Sequence, residues 1–514
     1  MERGPTTRTR DLSVAGRLTE FHAPVEMTQS RQLGGTSAIW GGRCVPYDPI
    51  DFQERAQLVG SRWPIGLSDV EPFIQRACDW ARIGRGAFSV HDLPHLSPEL
   101  VPGLKDGGGV LVSTLERWSL PTNFGTEYRA EMESNPHVSV VTGATALRVR
   151  LADGTSRVGS VECAAIDGPK FSVEGDNGCS RAMASRRHAC CARPGRMGAA
   201  WATIRSSGPL VPGPPGRGHR RRRVHDPSRV DDLRLRAVTD GVFVRRRFTF
   251  TDEFLQEHNL PNVAGWLTNP ELADARHGDG ILSFVYLSLI SPLGPRFAPD
   301  AQRLSLTGTK VPGSPYGVTE RSPIRAHLRN LLRDPIRLLR FLFGFGLKRV
   351  FAKGRKPRGF FVERSTNRYP FQYHGEHLPS ADSVVRLSDV TDALGMLRLD
   401  IDLRFSDADV DGGLRVHEHC DHYLRDLGVG RLVYRDGDRA ALVRERLGGG
   451  FHQVGTTRMS KHADDGAVDA NLRVHSVDTV RRQQLGLRHV RSGELHVPHD
   501  LPGRSSGRSP FPER

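Results

Sequence analysis

The sequence predicts a mixed α/β chain, with α+β elements spread over two or three domains. Three observations carry that expectation. At 514 residues the chain is long enough to bury more than one core. Leu397, Leu399, Ile401, Leu403 and Phe405 alternate strictly with Arg398, Asp400, Asp402 and Arg404, the period-two signature of a half-buried strand. Residues 68–84 instead carry Val70, Phe73, Ile74 and Ala77 at helical spacing, behind Ser68 as N-cap with Glu71 three places on.

The other elements follow in order. Residues 1–30 are polar and weakly periodic. The stretch Arg31 to Cys44 holds two glycine pairs, Gly34-Gly35 and Gly41-Gly42, around Thr36, Ser37 and Trp40. Paired glycines let backbone approach a ligand and present N–H groups to an anion, while hydroxyls and a flat indole suit a phosphate-bearing aromatic cofactor. Composition alone fits any tight loop equally well. Four strands are predicted between 137 and 174: His137–Val141, Ala144–Leu151, Val158–Ala165 and Lys170–Val173, broken by Gly and Asp-Gly turns. Tyr369 to Leu387 reads as strand, turn, strand, and 407–426 as a helix stopping before Gly428.

Charge is unevenly placed. The net +15 is carried by two blocks: residues 181–236, with 14 Arg against three Asp, and 481–514, with seven Arg against three acids. The first block has no apolar periodicity and is expected to be disordered. Neither block interleaves aromatics with its arginines, so a nucleic-acid partner is not predicted. His417, His419 and His422 resemble metal ligands, but no second pair supports them, and a polar solvated helix is the expected reading with no metal. Cys44, Cys78, Cys163 and Cys420 read as structural, and seven Cys without ligand or disulfide spacing suit a reducing compartment. No apolar run reaches the ~20 residues of a membrane span, and no signal-peptide core opens the chain, so a cytoplasmic location is expected. Residues 323–353 alternate basic and apolar; buried packing is the favoured reading of their leucines and aromatics, and contact with a membrane surface the lesser one.

Two motifs carry a family resemblance. The Gly-Gly-Thr-Ser-x-x-Trp-Gly-Gly run resembles the flavin-contacting loop of the glucose–methanol–choline (GMC) oxidoreductases, and Ser61-Arg62-Trp63-Pro64 with Asp69 and Glu71-Pro72-Phe73 is similar to its continuation. Near the other end, Phe451-His452-Gln453-Val454-Gly455-Thr456-Thr457-Arg458-Met459 and Gly466 to Val474 resemble the family's His-x-x-Gly-Thr-x-x-Met segment and its sequel. The resemblance implies a flavoprotein FAD-binding domain joined to a substrate domain on a mainly antiparallel sheet. The implied division is a partial FAD-binding domain over 1–180 (flavin loop 31–44, β-meander 137–174), an irregular segment 181–237, a substrate domain 238–410, a catalytic and FAD-contacting segment 411–480, and a basic irregular tail 481–514. Glu376 and Pro379 resemble the family's Glu-Gln-x-Pro sheet segment.

The resemblance further implies oxidation of the CH–OH group of a small alcohol or sugar, with hydride passing to flavin N5 and His452 taking the hydroxyl proton. Histidine meets the need for a base titrating near working pH. FAD contacts are implied for Gly34, Gly35, Thr36, Ser37, Trp40, Gly41, Gly42, Ala146, Asp469 and Asn471. Ile39 stands where several relatives carry His, some of them attaching flavin through it, so the FAD is expected to be non-covalent. The electron acceptor is left open.

The chain also departs from the family pattern. Pairs such as Gly428-Val429-Gly430 and Gly344-Phe345-Gly346 lack the third glycine of a Gly-x-Gly-x-x-Gly turn, so the chain is expected to start after the family's first βαβ unit. Shifted-frame codons for Arg187 to Cys191 give the family's Pro-Arg-Leu-Leu, and a slip from Val480 onward gives its next motif, so both alien blocks read as out of frame. The second catalytic residue is then missing, His496 and His499 being accidents of frame. Two alternatives to an active flavoenzyme stay open: a non-functional remnant, and a basic protein holding nucleic acid or anionic surfaces.

Overall fold

The computed structural model describes residues 15–58, 62–119, 122–165, 168–175, 178–180, 204–211, 236–297, 303, 306–307, 321–346, 360–364, 368–378, 380, 382–434, 437–449, 457–475 and 480–482. Helices and mainly antiparallel sheets are mixed along the chain, as the sequence predicts.

The largest core forms on a four-stranded antiparallel sheet whose strands run, edge to edge, Val263–Leu267, Tyr369–Gly375, Ile204–Val211 and Arg431–Leu432. Successive strand residues face opposite ways. Tyr369, Phe371 and Tyr373 therefore join Val263 and Leu267 on one face, packed with Val410, Val416, Cys420 and Leu424 of the helix Asp407–Asp426. A Cβ at Gly413 would lie 2.8 Å from the Tyr373 hydroxyl, so glycine lets that helix approach the sheet. The helix spans the predicted residues and opens on Ser406, which shares a capping box with Asp409. The opposite face carries Trp266, Gln372 and His374, two of them polar, yet all three are buried.

The strand Leu397–Asp402 forms as the alternation predicts. Leu399 and Ile401 are buried against Val25 and Val385, while Leu397, at the strand's start, is 40% exposed. It pairs antiparallel with Val384–Thr391 and parallel with Ala15–Leu18. The meander Ala144–Leu151, Val158–Ala165, Lys170–Glu174 also forms, antiparallel throughout.

Four expectations need correction. The helix predicted over 68–84 spans only Ile74–Ala81, after 3₁₀ turns at Leu67–Asp69 and Glu71–Phe73. A helix capped by Ser68 would need the amide of residue 72 to bond the residue 68 carbonyl, and Pro72 has no N–H. The Asp69 carboxylate instead accepts the Gly66 N–H at 2.8 Å. His137–Val141 is not a strand: Val138, Val140 and Val141 are exposed, and no neighbour pairs with that segment among the described residues. Within the block 181–237, Ile204–Val211 is a strand inside the main sheet. Ladder hydrogen bonds come from backbone, so such pairing needs no apolar periodicity in the side chains. In 323–353 the expectation of buried packing fails in part among the described residues: Leu338 and Phe341 pack inward, whereas Ile336, Leu339 and Phe343 are exposed. Of the basic tail only Arg481 and Arg482 are described, pairing as Val480–Arg482 in parallel with Gly178–Ser180; the rest of it lies outside the described residues.

Candidate active site around the diglycine loop

The loop is built by its own backbone. Gly34 and Gly35 take φ of +85° and +54°, a left-handed geometry that favours glycine, and Gly35–Ala38 closes a 3₁₀ turn. A Cβ at Gly34 would sit 2.2 Å from the Gly125 nitrogen, so this glycine is required by packing of the loop on the helix Phe124–Glu127. The Thr36 carbonyl accepts the N–H groups of Ile39 and Trp40, each at 3.0 Å. Ser37 donates its hydroxyl to the Gly34 carbonyl and accepts the Phe124 N–H at 3.0 Å. Trp40 donates its indole N–H to the Thr122 carbonyl at 2.7 Å and lies against Phe124, ring centroids 5.7 Å apart. Behind it the helix Ile74–Ala81 brings Cys78 and Ala81 onto Cys44. Burial pushes the Cys78 thiol up to about 11, so it stays protonated and packs as a small apolar group.

Gly35 and Gly41 differ from Gly34. A Cβ at either would meet no atom within 4 Å, and Gly41 has no positive φ to demand a glycine. Open space over the loop backbone is what a flat ligand lying on it requires. Ile39 is 38% exposed beside this space and carries only alkyl carbon. The loop thus has room for a flat ligand on its backbone. For the pyrophosphate end the sequence offers no Gly-x-Gly-x-x-Gly turn.

Three connections place the loop among other parts of the chain. Arg31 donates to the Thr145 hydroxyl at 3.0 Å, bringing the meander, and with it the exposed Ala146, to the start of the loop. Arg43 at the loop's end reaches the polar face of the main sheet and donates to His374 Nδ1 at 2.9 Å. Guanidinium can only donate, so His374 keeps its proton on Nε2. The Glu116 carboxylate, 2% exposed, bridges Arg43 at 3.2 Å and Arg245, and both guanidinium groups lie 4.5 Å from the Trp266 ring centre. The third connection is apolar: Met459, Val468 and Leu472 pack onto Phe52, Trp63, Ile65 and Val70, the continuation of the loop. Phe52, Trp63 and Tyr47 meet edge to face within that contact.

His452 lies outside the described residues, as do Pro379, His496 and His499. Downstream of His452 the chain is held firmly, with Thr457 and Met459 buried. Asp469 Oδ1 accepts the N–H groups of Asn471 and Arg473, each at 2.8 Å, closing a turn in which Leu472 has φ +62° and Asn471 is exposed. A left-handed leucine is rare and marks a tightly constrained turn.

Sequence reasoning missed the cluster of Arg43, Glu116, Arg245, Trp266 and His374. One signal was available: aromatic Tyr369, Phe371 and Tyr373 alternate with Gln372 and His374, a two-sided strand with one polar face. The pairings of Arg43 with Glu116 and His374 join residues too distant in sequence for any pattern to display. The histidine cluster resolves differently. His417 is buried and hydrogen-bonded through Nδ1 to the Tyr434 hydroxyl, whereas His419 lies beside His258 and Phe254. A cavity of about 510 Å³ is lined by Asn259, Glu376, Asp409, Arg415 and Glu418 among others. No residue of the diglycine loop lines it.

Residues 379–481 match the family model described as GMC oxidoreductase, C-terminal. No curated protein matches the chain. Among solved structures, the chain is similar to pyridoxine 4-oxidase from Mesorbium loti at 13% identity, over 91% of this chain and 81% of that one, with TM-score 0.44. A fungal aryl-alcohol oxidase is 13% identical over 91% and 84%, with TM-score 0.45. An FAD-dependent oxidoreductase from Chaetomium thermophilum is 11% identical over 95% and 91%, with TM-score 0.40. Those likenesses are too low to carry an argument; the family match covers His452 and the residues that follow it. Over residues 379–481, about a fifth of its length, the chain is similar to the GMC oxidoreductases.

Proposed function

We propose that the chain oxidises the CH–OH group of a small alcohol or sugar, with non-covalently held FAD as cofactor and His452 as base. One observation supports this more than any other: the segment following the His452 turn packs, through Met459, Val468 and Leu472, onto the residues that continue the diglycine loop. The continuation of the first motif and the sequel of the second, read separately from the sequence, thus share one core. FAD, when bound, supplies the hydride acceptor that no side chain provides.

The remaining roles fall to the chain's own residues. Gly35 and Gly41 leave room over the loop, with Gly34, Thr36, Ser37, Trp40 and Gly42 holding its shape. Ala146, Asp469 and Asn471 complete the proposed cofactor contacts. His452 accepts the substrate's hydroxyl proton. A non-covalent cofactor is supported by Ile39, whose side chain has no atom able to bond a flavin. Cys44, Cys78, Cys163 and Cys420 are buried thiols, which supports a reducing, cytoplasmic setting for the enzyme.

The test is the absorption spectrum of the purified full chain, before and after incubation with FAD and removal of excess. Flavin bands near one per chain are expected, released on acid denaturation because no covalent bond holds the cofactor. A colourless protein that leaves all added FAD free overturns the proposal. His452→Ala should keep those bands while lowering turnover of an accepted alcohol by about 10²–10⁴-fold.

A further inference from the structure

The helix Ile324–Arg333 is packed inside out. Its buried residues are polar, His327 at 0% and Asn330 at 3% exposure. His327 Nδ1 meets the Ser283 hydroxyl at 3.1 Å, and Asn330 donates to the Ala275 carbonyl at 2.8 Å and to Ser283 at 3.1 Å. Gly280 abuts the Asn330 backbone, so the helix Gly280–Ile290 sits close against this polar side. The apolar side faces outward: Ile324, Leu328 and Leu332 recur every four residues and are 56%, 49% and 82% exposed. After the turn at Asp334, the helix Pro335–Phe341 and the residues beyond it add exposed Ile336, Leu339 and Phe343.

A water-facing helix ordinarily does the reverse, and contiguous exposed apolar surface marks a contact with something apolar. Charge says what that partner is. Arg325, Arg329 and Arg333 repeat one position after the apolar stripe, and with Arg340 they enter no ion pair among the described residues. Residues 321–353 hold nine Lys and Arg against the single acid Asp334. Exposed Leu293 and Phe297 lie on the segment that follows the neighbouring helix.

We infer that the helices Ile324–Arg333 and Pro335–Phe341 form a membrane-surface docking face, laying Ile324, Leu328, Leu332, Ile336, Leu339 and Phe343 into the acyl boundary of an anionic bilayer. The flanking arginines meet the headgroup phosphates. This is the arrangement of an interfacial amphipathic helix, in which apolar burial and attraction to anionic lipid act together. No described helix is long and apolar enough to cross the membrane, so the contact is peripheral and reversible. It is independent of the flavin proposal.

Vesicle co-sedimentation of the purified full chain tests it. Pure phosphatidylcholine vesicles are compared with vesicles holding about one part in three phosphatidylglycerol. Binding to the anionic vesicles is expected, weakening as salt is raised. The triple variant Leu328→Ser, Leu332→Ser, Ile336→Ser leaves the charge unchanged and should bind at least about tenfold more weakly. Arg325→Gln with Arg329→Gln should weaken binding to anionic vesicles and remove part of its salt dependence. All five side chains are at the surface, so circular dichroism and the melting temperature should stay at wild-type values; should the triple variant misfold, Leu332→Ser alone gives the same reading. Wild-type chain that stays in the supernatant overturns the inference. So does a triple variant that binds like wild type, since attraction then comes from other basic blocks. Concentration-dependent self-association abolished by the serine variant, without vesicle binding, would instead assign the face to a second copy of the chain.

Discussion

Replacing Glu376 should be among the most damaging single changes in this chain. Its carboxylate receives both terminal nitrogens of Arg55, each at 2.8 Å, and the Asn262 N–H at 3.2 Å. Both side chains are almost wholly buried, 3% exposed for Arg55 and 0% for Glu376. The pair ties the segment following the diglycine loop to the end of the strand Tyr369–Gly375, and therefore joins the two sides of the candidate site. Glu376→Ala strips a buried guanidinium of its counter-charge, and breaking such a pair costs about 3–5 kcal/mol. Glu376→Gln removes the same counter-charge and turns an amide NH₂ toward groups that can only donate, so it should cost about 3–5 kcal/mol as well. The double variant Arg55→Met, Glu376→Leu removes both charges and should recover most of the loss, because apolar pairs of similar volume often replace buried ion pairs without penalty. Urea unfolding followed by near-ultraviolet circular dichroism measures the series. Losses under about 1 kcal/mol for Glu376→Ala, or a double variant worse than either single one, would refute the reasoning.

Other consequences are equally direct. Burial pushes both His277 and His417 down to about 4, with the Asp279 carboxylate opposing the shift at His277. A histidine held neutral in the fold takes up its proton only on unfolding between pH 6.5 and about 4, so stability should fall as pH drops through that window, by on the order of 3 kcal/mol per site when complete. Urea midpoints from pH 7.5 downward measure this, and His417→Gln should make the acid-side slope shallower. Gly34→Ala forces a Cβ onto the Gly125 backbone at φ +85° and should destabilise the loop by about 2–4 kcal/mol; the flavin bands should be lost with it, whereas Gly41→Ala, with open space around it, should keep the fold and weaken only cofactor retention. Thermal melts paired with absorption spectra separate these two cases. Gly265→Ala places a Cβ 2.3 Å from the Phe371 ring and should lower stability by about 1–3 kcal/mol through overpacking of the main core.

How much of this was legible beforehand depends on the range of the interaction concerned. The alternation from Leu397 names a strand and the side it buries, and the meander strands Ala144–Leu151 and Val158–Ala165 begin and end where their sequences say. The residues around and after His452 resemble the family whose model matches 379–481, because a short motif records constraints that act locally on residue type. The helix over 74–81 was legible in its periodicity but not in its start, which Pro72 decides through a missing hydrogen bond.

Pairings between distant residues were settled by the tertiary structure. Arg55 finds Glu376, and Arg43 finds Glu116 and His374, across separations that no periodicity records. The strand Ile204–Val211 enters the central sheet on backbone bonds that leave no trace in side-chain pattern. Most telling is Ile324–Arg333: its sequence fixes that one side is apolar and the other polar, but says nothing of which side the protein keeps for itself. That choice belongs to the Ser283 hydroxyl and the Ala275 and Ala273 carbonyls, which meet Asn330 and His327 in a closed interior, the last at 3.3 Å from His327 Nε2; their demand turns the leucines outward.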